Sequence, residues 1–145
     1  MLTGLNFKAL VIAWAIDIVG STAIGFVALI VVIFSKRLGV QDLADEAFVT
    51  RLVYAPEVLI PSFAVGCVLS LIAGFVAARV AGTREVAHGI ASSAASIAVT
   101  LGSIRQMAEI LPIAVIVGGI VLSVVLGYAG GWLRLTTKRA DAANP

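Results

Sequence analysis

Long apolar runs alternate with short polar connections along this chain. Ala9–Ser35 holds a single charged residue, Asp17. Val58–Ala78 and Ile110–Leu133 hold none, and in Val86–Ile104 the only titratable side chain is His88. In chain order the four runs hold 27, 21, 19 and 24 residues. At 1.5 Å per residue, about 20 apolar residues cross a hydrocarbon core about 30 Å thick. The pattern therefore predicts an all-α integral membrane four-helix bundle, two helical hairpins in one transmembrane domain. The helices are expected near 7–34, 56–79, 86–104 and 110–133.

The longest connection is also patterned. Val40, Leu43, Ala44, Ala47, Phe48 and Leu52 recur at helical spacing, while Gln41, Asp42, Asp45, Glu46 and Thr50 take the other face. This predicts one short amphipathic helix over 40–53, lying in the membrane interface. Its polar face is acidic, which suits a connector shielding the bundle end rather than a grip on anionic lipid. Pro56 fits a first helical turn, and Pro61 is expected to kink or restart the second helix. Gly82-Thr83-Arg84-Glu85 reads as a tight turn. The polar tail, 136–145, is expected to be flexible.

Composition narrows the function. The 145 residues are 61% hydrophobic and 12% charged, about half the charge of a typical soluble domain. The net charge of +2 comes from residues flanking the spans, so no nucleic-acid-binding patch is expected. One cysteine, Cys67, excludes an intrachain disulfide and suits a small packing residue. The first apolar run is too long for a signal-peptide core and is interrupted by Asp17, so it is read as a retained helix. One histidine supports no histidine-based metal site. With no phosphate-binding loop and no nucleophile–base pair, neither an enzyme nor a cofactor is expected.

Orientation follows from Lys and Arg. If the N-terminus faces the cytoplasm, that side holds Lys8, Arg79, Arg84, Arg134, Lys138 and Arg139; the other holds Lys36, Arg37, Arg51 and Arg105. Six against four favours both termini inside. Arg79, Arg84 and Glu85 become the cytoplasmic-edge charges.

Helices 2 and 4 share a pattern. Gly66, Leu69, Ser70, Gly74 and Phe75 match Gly119, Leu122, Ser123, Gly127 and Tyr128 at a constant offset of 53. Two readings stand: a duplicated hairpin with parallel copies, or chance likeness between two apolar helices.

Asp17 is the most informative residue, about 12 Å beyond Ala9 along helix 1 and well inside the hydrocarbon. An ionised carboxylate there costs about 3 kcal/mol or more unless paired or hydrated. Ala13, Gly20, Ser21 and Ala28 share its face, a small-residue stripe suited to helix packing. At matching depth helix 3 offers Ser92, Ser93 and Ser96, with His88 a turn nearer the cytoplasm. Asp17, Ser21, His88, Ser92, Ser93 and Ser96 thus form the expected intramembrane polar site. It is read either as a hydrogen-bond staple or as a proton or cation site. Helix 3 is rich in small residues and is expected at the bundle centre, with a pore lining as the alternative. Gly20, Gly74, Ala78, Gly118, Gly119, Gly127 and Gly131 are the expected close-packing positions.

The stretch Gly74-Phe-Val-Ala-Ala-Arg79-Val-Ala-Gly82-Thr-Arg84-Glu85-Val-Ala-His88-Gly89 resembles small four-helix bacterial membrane proteins of uncharacterised function. Trp14-Ala-Ile-Asp17-Ile-Val-Gly20-Ser21 and the glycine-rich end of helix 4 resemble them too. The segment from Ser35 to Ala55 departs from that pattern. The resemblance implies a bacterial cytoplasmic (inner) membrane and a role for Asp17, Arg79 and His88, but no activity. Two functions remain open. One is a structural or interaction subunit in the lipid bilayer, self-associating as a homo-oligomer or joining a larger membrane complex. The other is an oligomeric transporter or channel for a small solute, proton or ion that uses Asp17.

Overall fold

The computed structural model describes residues 4–143, with side chains described as far as residue 141. Among the described residues seven helices follow in order: α1 (Phe7–Lys36), α2 (Val40–Leu43), α3 (Glu46–Val53), α4 (Pro56–Ala81), α5 (Glu85–Ser92), α6 (Ala94–Ala108) and α7 (Ile113–Ala143). Among the described residues four spans are long and apolar enough to cross a membrane: α1, α4, α5 with α6, and α7. By length and composition the chain is a multi-pass membrane protein folded as a four-helix bundle.

The bundle has two distinct ends. At the terminal end the entry to α1, the α4–α5 turn and the last turns of α7 come together. At the loop end lie the α1–α4 connection and the α6–α7 turn. Asn6 caps α1 by accepting from the Ala9 N–H at 3.3 Å, and Arg37 closes it in the left-handed region at φ 53°.

Several elements differ from the sequence expectation. Residues 40–53 form two short helices, because the Asp45 carboxylate accepts from the N–H groups of Ala47 and Phe48 at 2.9 and 3.3 Å and so starts a new helix. Leu52 from this segment packs with Val32 and Val58 under the loop end. Helix α4 runs unbroken from Pro56 through Pro61, so Pro61 does not restart it. The supposed tail is helical to Ala143, since no glycine or proline interrupts it between Gly131 and Pro145. Residues 144 and 145 lie outside the described residues.

The core position also differs. Helix α4 makes the most extensive contacts, lying between α1 and α7 and also touching α5. The third span touches every other span, yet only its first half is deeply packed: α5 buries Glu85, His88, Gly89 and Ser92, whereas α6 buries nothing fully. The division falls at Ser93, where the helix is interrupted between the two segments.

The seam between α1 and α4 is built from alanine. Ala13, Ala73 and Ala77 form its buried core, with Ile16 packed against them. Such small side chains let two backbones approach closely, which supports helix association where lipid removes the hydrophobic driving force.

Candidate functional site

Close packing at the terminal end depends on glycines that face one another. A Cβ on Gly74 would lie 2.6 Å from the Gly127 carbonyl oxygen, and one on Gly131 would lie 2.7 Å from the Glu85 carbonyl oxygen. Cβ atoms on Gly89 and Gly130 would collide with the Gly127 and Leu71 carbonyl oxygens respectively. Gly130 was not singled out in the sequence. On α1, a Cβ on Gly20 would press on the flexible end of Leu69 at 2.9 Å. Ala78 is fully buried.

Gly118 and Gly119 behave differently from expectation. A Cβ on Gly118 would meet nothing within 4 Å, and one on Gly119 only Phe63 at 3.9 Å. Neither is a close-approach point: Gly118 faces outward and is exposed, and Gly119 borders a space beside α7 that the third span no longer fills beyond Ser93. That space is a cavity of about 500 Å³. Its walls come from α4, α6 and α7 and include Leu59, Phe63, Met107, Val115 and Ile120. Its floor is polar: Asp17 and Ser21 from α1, Ser70 from α4, Ser96 from α6 and Ser123 from α7.

Asp17 is 4% exposed and links three helices. Its Oδ1 accepts from the Ser70 hydroxyl at 3.0 Å, and its Oδ2 accepts from the Ser96 hydroxyl. A carboxylate offers about four acceptor sites, so these two bonds leave capacity. Among the described residues Asp17 takes part in no ion pair, and no Lys, Arg or His lines the cavity.

The expected polar site therefore separates into parts. Asp17, Ser21 and Ser96 meet at the cavity floor. Ser92 donates to the Gly89 carbonyl within its own helix at 2.6 Å, and Ser93 donates to the Ser123 carbonyl at 2.8 Å. Neither is bonded to Asp17. His88 lies at the terminal end, fully buried. Its Nε2 accepts from the Asn6 N–H at 2.8 Å, and its Nδ1 lies 3.1 Å from the Arg84 carbonyl. A carbonyl can only accept and an amide N–H can only donate, so the neutral ring with its proton on Nδ1 satisfies both. The reason for the separation is depth: His88 starts the span, whereas Asp17 is ten residues into α1.

The edge charges also divide. Glu85 is buried and accepts from Lys138 Nζ at 2.7 Å, and Lys138 also donates to the Gly82 carbonyl at 2.8 Å. These bonds tie α7 to the α4–α5 turn. Arg79 is exposed. Arg84 adopts φ 49° at the start of α5, a left-handed conformation uncommon for a residue with a Cβ.

Ser70 was missed as a partner of Asp17, although a signal for it exists. Ser62, Gly66, Ser70, Gly74 and Ala78 recur every fourth residue along α4. Each such step advances about 40° around a helix of 3.6 residues per turn. The stripe thus winds from the cavity at Ser62 and Gly66 to the glycine seam at Gly74. The likeness between α4 and α7 has one geometric counterpart. The matched glycines Gly74 and Gly127 touch, but the matched serines differ: the Ser70 hydroxyl donates to Asp17, whereas at Ser123 the backbone carbonyl accepts from Ser93 and the hydroxyl donates to the Ile120 carbonyl.

Compared with protein families, with curated proteins and with solved structures, the chain matches none.

Proposed function

We propose that this protein is a membrane-embedded binding or carrier protein for a small amphipathic solute. One observation carries the reading: a carboxylate without a cationic partner among the described residues stands at the floor of a largely apolar cavity between α4, α6 and α7, open on the side where Ile60, Phe63 and Val115 are exposed. Ligand sites are commonly cavities of about 300–1,000 Å³ with apolar walls and a few convergent polar groups. A polar residue this deep in a membrane marks a functional site by default. The proposal assigns the protein no catalytic step, cofactor or metal.

A cavity-filling variant tests it. Gly66 lines the cavity, and a Cβ there meets nothing within 4 Å. Native mass spectrometry from nanodiscs is expected to find a small molecule retained by the wild type and lost from Gly66→Phe. A wild type that carries nothing, and binds nothing from a membrane extract, defeats the reading.

A second reading, a subunit that self-associates or joins a larger membrane complex, rests on α6. The third span is the least apolar of the four, yet α6 has no buried residue, while Ser96, Thr100 and Ser103 lie on it. A second copy packed on α6 would cover that face and complete the cavity wall. In a Cys67→Ser background, Val99→Cys should form a disulfide-linked dimer in membranes. Its absence under oxidising conditions speaks against a homo-oligomer through this face.

The proposed location is the cytoplasmic membrane of a bacterium, with both termini inside. The orientation is supported by the excess of Lys and Arg around the terminal end. With Cys67 replaced by serine, Ala140→Cys should resist an impermeant thiol reagent in intact cells and react after lysis.

A further inference from the structure

We infer that the cavity takes a lipophilic organic cation, an ammonium group on an apolar body, with the ammonium on Asp17 and the body between α4, α6 and α7. This inference rests on the binding reading above and names the class of solute.

The floor carries one acid and no base among the described residues. Both Asp17 oxygens already accept a serine hydroxyl, so its remaining lone pairs call for donors rather than acceptors. An ammonium supplies two or three N–H donors and a full positive charge, and bonds of this charge-assisted kind are the stronger ones. An anionic solute would instead set two negative charges together in a medium of low dielectric, which is heavily disfavoured. A neutral alcohol would leave the carboxylate without a counter-charge.

The walls determine the rest of the molecule. Leu59, Ile60, Phe63, Met107, Ile116 and Leu126 offer aliphatic, aromatic and thioether surface, and methionine adapts readily to differently shaped partners. A second observation points into the same space. The Ser62 hydroxyl oxygen is buried, lines the cavity and has no hydrogen-bond partner. An orphaned buried hydroxyl is costly. Ser62 lies eight residues, about 12 Å, along α4 from Ser70. Turning of the Ser62 side chain would bring this hydroxyl to a second polar atom on a solute that runs from Asp17 toward the loop end.

Cys67 lines the same cavity and is the only cysteine, so its alkylation reports occupancy. The experiment measures the rate of its reaction with N-ethylmaleimide in phosphatidylcholine nanodiscs holding the full chain. The probes are decylamine, decanol and decanoate, which differ only in the head group. Decylamine is expected to halve the rate at a concentration at least ten-fold below that of decanol, with decanoate weakest. In Asp17→Asn the amine and the alcohol should protect equally. Ser96→Ala, which keeps the carboxylate, should retain the preference and guards against misfolding of the Asp17 variant. Equal protection by amine and alcohol in the wild type overturns the cationic assignment and leaves the binding reading standing. No protection by any probe, or a thiol that the reagent never reaches, overturns both.

Discussion

The two halves of this bundle are built from the same residues and reach opposite results. Toward the terminal end, Gly74, Gly89, Gly127, Gly130 and Gly131 bring backbones so close that a single methyl group has no room. Toward the loop end Gly66 lines a cavity, Gly102 and Gly118 face outward and are exposed, and none of the three has anything within 4 Å of a Cβ position. Glycine content alone therefore does not predict close packing in a membrane. What matters is whether another helix faces the glycine at all, and whether it presents a small residue at the same level. Around Gly127 three helices do so at once; beyond Ser93 the third span draws away, and the same stripe of small residues on α4 faces open space.

The largest expected effect tests the tight half. Gly89→Leu and Gly127→Leu should each cost 3 kcal/mol or more, above the usual range of about 1–3 kcal/mol for overpacking, because backbone rather than a flexible side chain stands in the way. Unfolding in detergent with a graded denaturant measures this. Stability within about 1 kcal/mol of the wild type would show that the glycine seam is not close-packed.

An intermediate effect tests the boundary between the halves. Asp17→Leu removes the bonds to Ser70 and Ser96 and should weaken the fold by about 1–2 kcal/mol, the upper part of the range for hydrogen bonds between membrane helices. Asp17→Asn keeps an acceptor and should be tolerated within about 0.5 kcal/mol. If the leucine variant is as stable as the wild type, the staple contributes nothing, and only a binding role remains for Asp17.

The smallest effect tests the open half and should carry the opposite sign. Gly66→Ala and Gly118→Ala place a methyl group where nothing is displaced and restrain a flexible backbone. Each should leave stability unchanged or raise it by up to about 1 kcal/mol. The same substitution at Gly74 should destabilise. A loss at Gly118 equal to that at Gly74 would erase the distinction between the halves.

Periodicity made much of this fold legible. Apolar runs of bilayer length, with Asp17 the one charge among them, locate the spans, and the deviations at their ends have local causes: Asp45 begins a helix inside the connection, and an uninterrupted helical sequence carries α7 through the supposed tail. The depth of Asp17 and its small-residue face were also readable. The partners of Asp17 were only half readable, because Ser96 lies in an evident run of serines while Ser70 stands alone in an apolar helix. Its winding four-residue stripe was the available signal.

By itself the sequence determined four apolar spans, a carboxylate at mid-depth in the first, and matched stripes of small residues on the second and fourth. These are properties of one helix at a time, set by hydrophobicity and by 3.6 residues per turn. Only the tertiary structure decided that His88 bonds the entry to α1 instead of Asp17, that Ser93 bonds the Ser123 carbonyl, and that Gly74 and Gly127 touch while Gly118 does not. The physical reason is that a helix specifies which residues share a face, but not which face meets it. That choice requires several helices to fit at once, and here the break at Ser93 divides the third span into a segment that packs and a segment that leaves a cavity.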